Sequence, residues 1–302
     1  MPPDTLVSIL INSYNYGRFL RTCIDSTLAQ TYRPVEVVVV DDGSTDDSVE
    51  IIRSYGSAIT ALCKANGGQA SAFNAGFAAA RGEILCLLDA DDFFLPEKVE
   101  CIVELISRHD AAEWCFHELQ LVDASGGSVG ATVPDQGTTL HDHRATLSRG
   151  RLKYSPSATS ALSFRRDLLA RILPMPESHG VTVSDNYIKA AALSLSPGVS
   201  TGRLLACRRI HGGNLYTSRG RRAEGEVDVY TAFWLRKRFP HLDRFSRKVM
   251  AVGLGLLEAT GGVEPGVRRL ADEFLAALPA WQRFELALRA RYHRILARRG
   301  GS

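Results

Sequence analysis

The first 110 residues alternate short apolar runs with stretches in which apolar residues recur every three or four positions. The runs Val7–Ile11, Val35–Val40, Ile59–Cys63 and Ile84–Leu88 predict strands, and the stretches between them predict amphipathic helices. The second run is almost continuously β-branched, which is typical of a strand that is buried on both faces of a parallel sheet. Strands and helices that alternate at this spacing predict an α/β fold with a doubly wound sheet and right-handed crossovers.

The pattern changes after residue 110 and again near residue 216. Trp114–Val122 and Ala161–Phe164 predict further, antiparallel strands, so the sheet is mixed, and from Tyr216 onward the chain is helical in pattern. Residues 1–215 contain 19 Lys and Arg against 24 Asp and Glu, whereas residues 216–302 contain 17 against 9. We therefore divide the chain into an α/β domain, 1–215, and a basic helical carboxyl-terminal region, 216–302.

The composition indicates which class of protein this chain belongs to. The 302 residues are 45% hydrophobic and 23% charged, with a net charge of +3, which is ordinary for a globular chain. No apolar run reaches the length of about 18 residues that a membrane span requires, and the first residues do not resemble a secretory signal. The six cysteines show no zinc-ligand spacing and are expected to be reduced thiols. We expect a cytoplasmic protein.

A cluster of carboxylates follows the fourth predicted strand. Asp89, Asp91 and Asp92 come directly after Ile84–Leu88, and two carboxylates one residue apart at a strand end can share a cation. Ligands of doubly wound sheets bind beyond the carboxyl ends of the strands, and Mg²⁺ or Mn²⁺ commonly completes its shell with substrate phosphates. The cluster therefore predicts a site for a divalent metal and a diphosphate. The alternative is that Asp91 or Asp92 only caps the next helix.

Four segments in order resemble the successive motifs of family 2 glycosyltransferases with the GT-A fold. They are Val7–Asn15, Val37–Ser44, Asn66–Gly76 and Leu88–Asp92, and the resemblance covers roughly residues 5–215. It implies a Rossmann-like mixed sheet and a nucleotide-sugar donor, with UDP as the default. It also implies inverting transfer to a hydroxyl of a glycan, lipid-linked or protein acceptor, in the synthesis of cell-envelope or surface polysaccharide.

The resemblance assigns roles around the donor. Asp89, Ala90 and Asp91 match the DxD motif, in which Asp91 binds Mn²⁺ or Mg²⁺ and Asp89 contacts the donor ribose or the water shell of the metal. The remaining donor-binding residues that it implies are Asn12, Ser13, Tyr14, Asp41, Asn66 and Asn74. Two alternatives stay open: Asp41 starts a turn before a helix, and Tyr14 only packs.

The resemblance also implies a base and a second metal ligand. Val183–Tyr187 matches the segment that supplies the general base, so Asp185 is the predicted base for the acceptor hydroxyl, with an N-cap role as the alternative. His211, in Arg208–Asn214, matches a histidine that often ligates the metal; the alternative is an ordinary surface histidine. Small hydroxylic residues before Ala161 match the acceptor-facing segment, although such residues also make turns; they are Ser157, Thr159 and Ser160.

The last predicted helix is both basic and apolar. Six arginines share it with Trp281, Phe284, Leu288, Tyr292 and Ile295. Such a helix either contacts an anionic membrane surface peripherally, at the inner face of the membrane, or packs on the core with a solvated charged face. Nucleic acid is not an expected partner, since the sheet half is acidic and no recognition motif occurs.

Two other functions remain as alternatives to glycosyl transfer. A nucleotidyltransferase acting on a sugar phosphate uses a similar sheet, but it usually carries a glycine-rich basic loop after its first strand, where this chain has Asn12–Gly17 followed by Arg18 alone. A non-catalytic binding protein with a GT-A-like fold predicts that a metal-binding or base residue is missing, and each candidate is present.

Overall fold

The computed structural model describes residues 4–130, 135–152, 154, 157–177, 185–212 and 220–299. Contacts divide the chain into two units. The first unit comprises Met1–Asp142, Tyr154–His179 and Leu195–His211, and the second comprises His143–Lys153, Gly180–Ser194 and Gly212–Ser302. Two segments that precede residue 215 thus belong to the second unit, and the domain boundary at residue 215 stays a prediction.

The first unit is built on one mixed sheet. Its strands are β1 (Val7–Ser13), β2 (Val35–Asp41), β3 (Thr60–Cys63), β4 (Ile84–Asp89), β5 (Phe93–Phe94), β6 (Trp114–Val122), β7 (Thr138–His141), β8 (Leu162–Arg165) and β9 (Gly198–Arg209). Within the described residues the order is β3-β2-β1-β4-β8-β6-β9-β5, and β7 also pairs with β9. The first four strands of this order are parallel, while β8 is antiparallel to both β4 and β6. The predicted α/β mixed sheet is confirmed.

Helices cover this sheet and form most of the second unit. They are α1 (Gly17–Leu28), α2 (Ser48–Ser54), α3 (Gln69–Ala79), α4 (Lys98–Arg108), α5 (Arg144–Ser148), α6 (Arg166–Ile172), α7 (Asp185–Leu195), α8 (Gly220–Arg238), α9 (Asp243–Ala259), α10 (Pro265–Ala276) and α11 (Ala280–Arg299). Among the described helices, none has the length and apolarity needed to cross a membrane.

Both faces of β1, β2 and β4 are buried over most of their length, which explains their continuous apolar runs, whereas β3 is largely exposed. Ile9 and Val39 belong to a core cluster together with Leu20 and Ile24 of α1. Side chains alternate along a strand, so Val40 points to the opposite face, where a Cβ added at Gly76 of α3 would lie 3.2 Å from Val40 Cγ2. The glycine thus permits α3 to approach the sheet closely.

The strand register gathers the polar strand ends at one edge of the sheet. Ser13 is paired with Asp41 across β1 and β2, and Asn12 is paired with Asp89 across β1 and β4. The sequence prediction that these clusters share one edge is confirmed.

Glycines set the packing of the second unit. A Cβ on Gly225 of α8 would lie 2.9 Å from the carbonyl oxygen of Gly253 on α9, and one on Gly255 would lie 2.6 Å from the carbonyl oxygen of Ala290 on α11. These distances are too short for any side chain, so α9 meets both neighbouring helices at backbone distance.

Candidate active site

The acidic cluster forms a tight turn at the end of β4. The backbone N–H of Asp92 donates to the carbonyl of Asp89 at 3.0 Å, and that of Ala90 donates to the carbonyl of Asn12 at 3.2 Å. Asp91 and Asp92 are only 7% and 3% exposed. Carboxylates that are so far removed from water need compensating partners.

His211 is the partner of Asp91. Its Nε2 lies 3.1 Å from Asp91 Oδ2, although 120 positions separate the two residues. The imidazole ring packs 4.7 Å from the ring of Phe19 and edge-on to Tyr16. The structure thus brings together the two residues that the sequence predicted as metal ligands, and it does not support an isolated surface histidine.

This donor set fits a cation that the substrate helps to hold. No group of three metal-type side chains (His, Cys, Asp or Glu) occurs among the residues that the structure describes. Asp91 and His211 would provide two ligands, and Asp89 Oδ1 lies 3.3 Å from Gln69 Nε2. Mg²⁺ is usually bound by one or two carboxylates and completes its shell with phosphate oxygens and water, so Mn²⁺ or Mg²⁺ would need the diphosphate to complete its coordination.

Asp92 has a structural role. Its Oδ2 accepts a hydrogen bond from Ser160 Oγ at 2.5 Å, and its Oδ1 accepts one from the backbone N–H of Arg209 at 2.8 Å. Burial, followed by the neighbouring charge of Asp91, raises the pKa of Asp92 to about 7. Because both Asp92 oxygens are engaged within the protein, Asp91 is the carboxylate with the more suitable position for a metal.

The position of Ser160 corrects the acceptor-facing assignment. The side chain is fully buried, and its hydroxyl donates to Asp92 while accepting from the backbone N–H of Asp89 at 3.2 Å. A hydroxyl with these two bonds supports the acidic turn and is not accessible to an acceptor. Thr159 is also buried, at 3% exposed, whereas Ser157 is only half-buried.

Replacement of Ser160 by Ala should lower the free energy of unfolding by about 1–3 kcal/mol, because it leaves the Asp89 N–H and one oxygen of the buried Asp92 without this partner. Denaturant unfolding measures the change. Ser163→Ala is the matched control, since among the described residues that buried hydroxyl donates a hydrogen bond only to the sulfur of Cys86, at 3.3 Å. Equal losses in the two variants would show that the hydroxyl of Ser160 has no special role.

Arg209 holds the acidic turn from the other side. Its Nε donates to the carbonyl of Asp91 at 2.9 Å, and its Nη1 donates to that of Ala124 at 2.9 Å. The guanidinium also lies 4.7 Å from the ring centre of Phe19. The sequence shows two adjacent arginines but not which is buried; strand alternation makes Arg209 the inner one, while Arg208 is half-exposed.

Lys98 lies beneath the same turn and was missed by the sequence reasoning. It is fully buried, its Nζ donates to the carbonyl of Ser160 at 2.7 Å, and it lies 3.4 Å from the ring centre of Phe94. Burial lowers its pKa from 10.5 to about 7. Lysines are rarely fully buried, so a lysine in the first turn of an amphipathic helix gave no sequence signal.

The buried lysine should make stability depend on pH. Between about pH 7 and 10.5 the unfolded chain binds the Lys98 proton and the folded chain does not, so the free energy of unfolding rises with pH. The free energy of unfolding of the wild type minus that of Lys98→Met should increase by up to about 1.4 kcal/mol per pH unit in this window. Urea unfolding at several pH values measures it, and parallel curves for the two proteins would contradict the assignment.

The ends of β1 and β2 at this edge contain polar groups without partners among the described residues. Both amide atoms of Asn12, Ser13 Oγ and Asp41 Oδ1 are buried and form no hydrogen bond with any described residue. The other Asp41 oxygen accepts from the N–H groups of Gly43 and Ser44 at 3.2 and 3.0 Å. Buried polar groups are nearly always paired, so three residues with such groups on adjacent strand ends indicate a ligand site.

Tyr14 and Asn66 flank this edge. Tyr14, the residue after Ser13, is 39% exposed, so its ring is not buried in the core. Asn66 is exposed in the turn after β3, and a Cβ on Gly43 would lie 2.7 Å from its backbone nitrogen. The φ of +81° at Gly43 also favours glycine there.

Asn74 is hydrogen-bonded to a neighbouring loop. Its Nδ2 donates to the carbonyl of Met175 at 2.9 Å and to Glu177 Oε1 at 2.8 Å, and its Oδ1 accepts from the Met175 N–H at 2.6 Å. The side-chain amide therefore ties α3 to the loop after α6. The donor-binding role that the resemblance implies for Asn74 stays a prediction.

Asp185 belongs to the second unit, where it is the first residue of α7. Lys189, one turn later, places its Nζ 3.0 Å from Asp185 Oδ2. The spacing of four residues was a usable signal for this pair, which the sequence reasoning missed. Val183 and Ser184 of the matching segment lie outside the described residues.

Comparison with known proteins places the chain among glycosyltransferases. Residues 8–117 match the family model described as Glycosyl transferase family 2. An uncharacterised glycosyltransferase of Nostoc sp. is 36% identical over 218 residues, which cover 70% of this chain and 67% of the relative. One from Rickettsia prowazekii is 40% identical over 134 residues, covering 43% of this chain and 42% of the relative, so the match spans less than half of that protein.

Solved structures share the fold at low sequence identity. TarS 1–349 of S. aureus, in complex with UDP-GlcNAc, has a TM-score of 0.64 and 18% identity over 98% of this chain and 89% of that one. The mannosyltransferase PcManGT of Pyrobaculum calidifontis, in complex with GDP-Man and Mn²⁺, has a TM-score of 0.54 and 17% identity over 97% and 86%. The GT-A fold predicted from the sequence, with a helical carboxyl-terminal region, is confirmed.

Proposed function

Because this chain belongs to glycosyl transferase family 2, we propose that it transfers a sugar from a nucleoside diphosphate donor to an acceptor hydroxyl, with inversion at the anomeric carbon. One observation carries the proposal. Asn12, Ser13 and Asp41 carry buried groups that have no partner among the described residues, and these groups occupy the same edge of the sheet as the pair of Asp91 and His211. The first set suits a nucleoside and the second suits a metal-bound diphosphate.

The donor is held by its two ends. Asp41 Oδ1, buried without a partner among the described residues, is an acceptor for a ribose hydroxyl or a base N–H. The exposed ring of Tyr14 is available to pack on the base. UDP remains the default nucleotide, and UDP-GlcNAc and GDP-Man in the TarS and PcManGT structures support a nucleotide-sugar of this kind.

Asp91 and His211 are the residues that would hold Mn²⁺ or Mg²⁺, with Asp89 contacting the ribose or the water shell of the metal. A bound divalent cation neutralises charge on a leaving diphosphate. The protein fixes the position of Asp91 through its own residues: Arg209 binds the carbonyl of Asp91, and Asp92 and Ser160 hold the turn. This arrangement holds the carboxylate in place before the donor arrives.

Asp185 is the proposed general base. Its carboxylate takes the proton from the acceptor hydroxyl, whose oxygen attacks the anomeric carbon while the bond from that carbon to the diphosphate breaks. Neither a covalent enzyme intermediate nor a second catalytic carboxylate is required. Lys189, 3.0 Å from Asp185, orients the base. Ser157 remains the acceptor-facing candidate, and the acceptor is a glycan, lipid-linked or protein hydroxyl in envelope or surface polysaccharide synthesis.

Nucleotide binding tests the proposal without requiring an acceptor. In calorimetric titrations with Mn²⁺ present, we expect at least one of UDP and GDP to bind with a dissociation constant between about 1 μM and 1 mM. The matching nucleoside and inorganic pyrophosphate, tested separately, should each bind more weakly, since each occupies half of the site. If no nucleoside diphosphate binds, or if pyrophosphate alone binds as tightly as the best of them, the proposed division of the site is wrong.

A further inference from the structure

Helix α11 exposes a continuous row of large apolar side chains, which we call the α11 stripe. Its members are between 42% and 67% exposed: Trp281, Phe284, Leu288, Tyr292, Ile295 and Leu296. Spacings of three and four residues place them on one side of the helix. The opposite side, with Leu286 and Ala290 buried, packs on α9.

Unpaired positive charge borders the α11 stripe. The helix carries six arginines but a single acidic residue, Glu285. Arg289 and Arg294 form ion pairs at 2.9 and 3.3 Å with Glu285 and Glu258. By contrast, Arg291 and Arg298 are exposed and form no ion pair with any residue in the described part of the chain. Each follows a stripe residue by three positions, so both lie beside the stripe.

This arrangement favours surface contact over the alternative that the helix only packs on the core. A helix that merely packs on the core with a solvated charged face would turn its aromatic side chains toward α9. Here a leucine and an alanine face α9, while Trp281, Phe284 and Tyr292 face solvent. Exposed apolar patches of this kind on soluble proteins mark interaction sites.

We propose that the α11 stripe binds the surface of an anionic lipid bilayer. A bilayer interface takes up an apolar helix face and offers negative headgroups to the arginines beside it. Tryptophan and tyrosine also suit this boundary, since one end of each side chain is polar. A second copy of the chain is less suitable, because pairing two stripes would bring unpaired arginines of both copies together with one glutamate on each helix.

Vesicle sedimentation with the full chain tests the proposal. We expect binding to vesicles of phosphatidylcholine mixed with phosphatidylglycerol, weakened by salt, and much less binding to phosphatidylcholine alone. The double replacement Phe284→Ser with Leu288→Ser should lower the affinity at least about tenfold. Leu140→Ser is the matched control, because Leu140 is 55% exposed and Leu288 is 52% exposed. Thermal unfolding checks that the variants, altered only at exposed positions, remain folded.

The contribution of the arginines and the contact of the helix with the bilayer can be tested separately. Arg291→Gln with Arg298→Gln should weaken binding to anionic vesicles about tenfold, and the exposed pair Arg268→Gln with Arg269→Gln on α10 should weaken it less. Trp281 fluorescence should shift to the blue with anionic vesicles, whereas Trp114 is already buried. Absence of vesicle binding, or unchanged binding by the Phe284 and Leu288 variant, would overturn the proposal. The proposal would also be overturned if the wild type bound no vesicles and formed a dimer in light scattering, and if the Phe284 and Leu288 variant were a monomer.

Discussion

Asp91→Asn is expected to lower sugar transfer by at least about 100-fold, measured as kcat/KM for nucleoside diphosphate release with Mn²⁺ in excess. Asparagine keeps the shape of the side chain but removes the negative charge 3.1 Å from His211. Asp92 cannot substitute, because Ser160 and Arg209 already occupy its oxygens. Removal of divalent metal from the wild type by a chelator should produce a loss of the same order.

A measurement of stability distinguishes this loss of activity from misfolding. Asp91 raises the pKa of Asp92 through its charge, so the two carboxylates repel each other when no metal is bound. Asparagine relieves this repulsion and keeps an oxygen that can accept from His211 Nε2, so without metal Asp91→Asn should unfold no more easily than the wild type. Asp110→Asn, at an exposed position, is the control and should retain full turnover. Full turnover by Asp91→Asn would remove Asp91 from the metal site.

Asp185→Asn is expected to lower kcat by about 100-fold to 10,000-fold while leaving the affinity for the nucleoside diphosphate unchanged. The amide cannot take the proton from an acceptor hydroxyl, but the donor residues on the sheet edge are unaltered. Turnover with saturating donor and acceptor, together with calorimetric donor binding, measures the two effects.

The control for this variant is Asp272→Asn, an exposed carboxylate on α10 of the same unit. It should change neither quantity. If Asp185→Asn weakened nucleotide binding as strongly as it slowed turnover, Asp185 would be a donor-binding residue. If its turnover matched that of the wild type, another group would be the base.

The sequence predicted those parts of the site that follow from local pattern. Apolar runs ending in polar residues located the strand ends, and parallel strands necessarily bring such ends to one edge, so Asn12, Asp41 and Asp89 could be grouped in advance. The pairing of His211 with Asp91 followed from resemblance to a family, since no local pattern relates residues 120 positions apart.

What the sequence did not predict depends on contacts between distant segments. Ser160 is small and hydroxylic, and such a residue can form a turn, contact an acceptor or support a carboxylate. Its hydrogen bonds to Asp92 and the Asp89 N–H show that it supports a carboxylate. Lys98 contacts Ser160 across 62 positions, and Asn74 contacts Met175 across 101. Helical periodicity shows which side of a helix is buried, but it does not identify the groups packed against it.

The most direct test of glycosyl transfer is nucleoside diphosphate release from a panel of nucleotide sugars, with Mn²⁺ or Mg²⁺ and with glycan, lipid-linked and peptide acceptors. The site described here predicts metal-dependent release from at least one donor. This release should be stimulated by an acceptor and lost in both Asp91→Asn and Asp185→Asn. Absence of release from every donor, with none restored by any acceptor, would contradict the assignment of this site to glycosyl transfer.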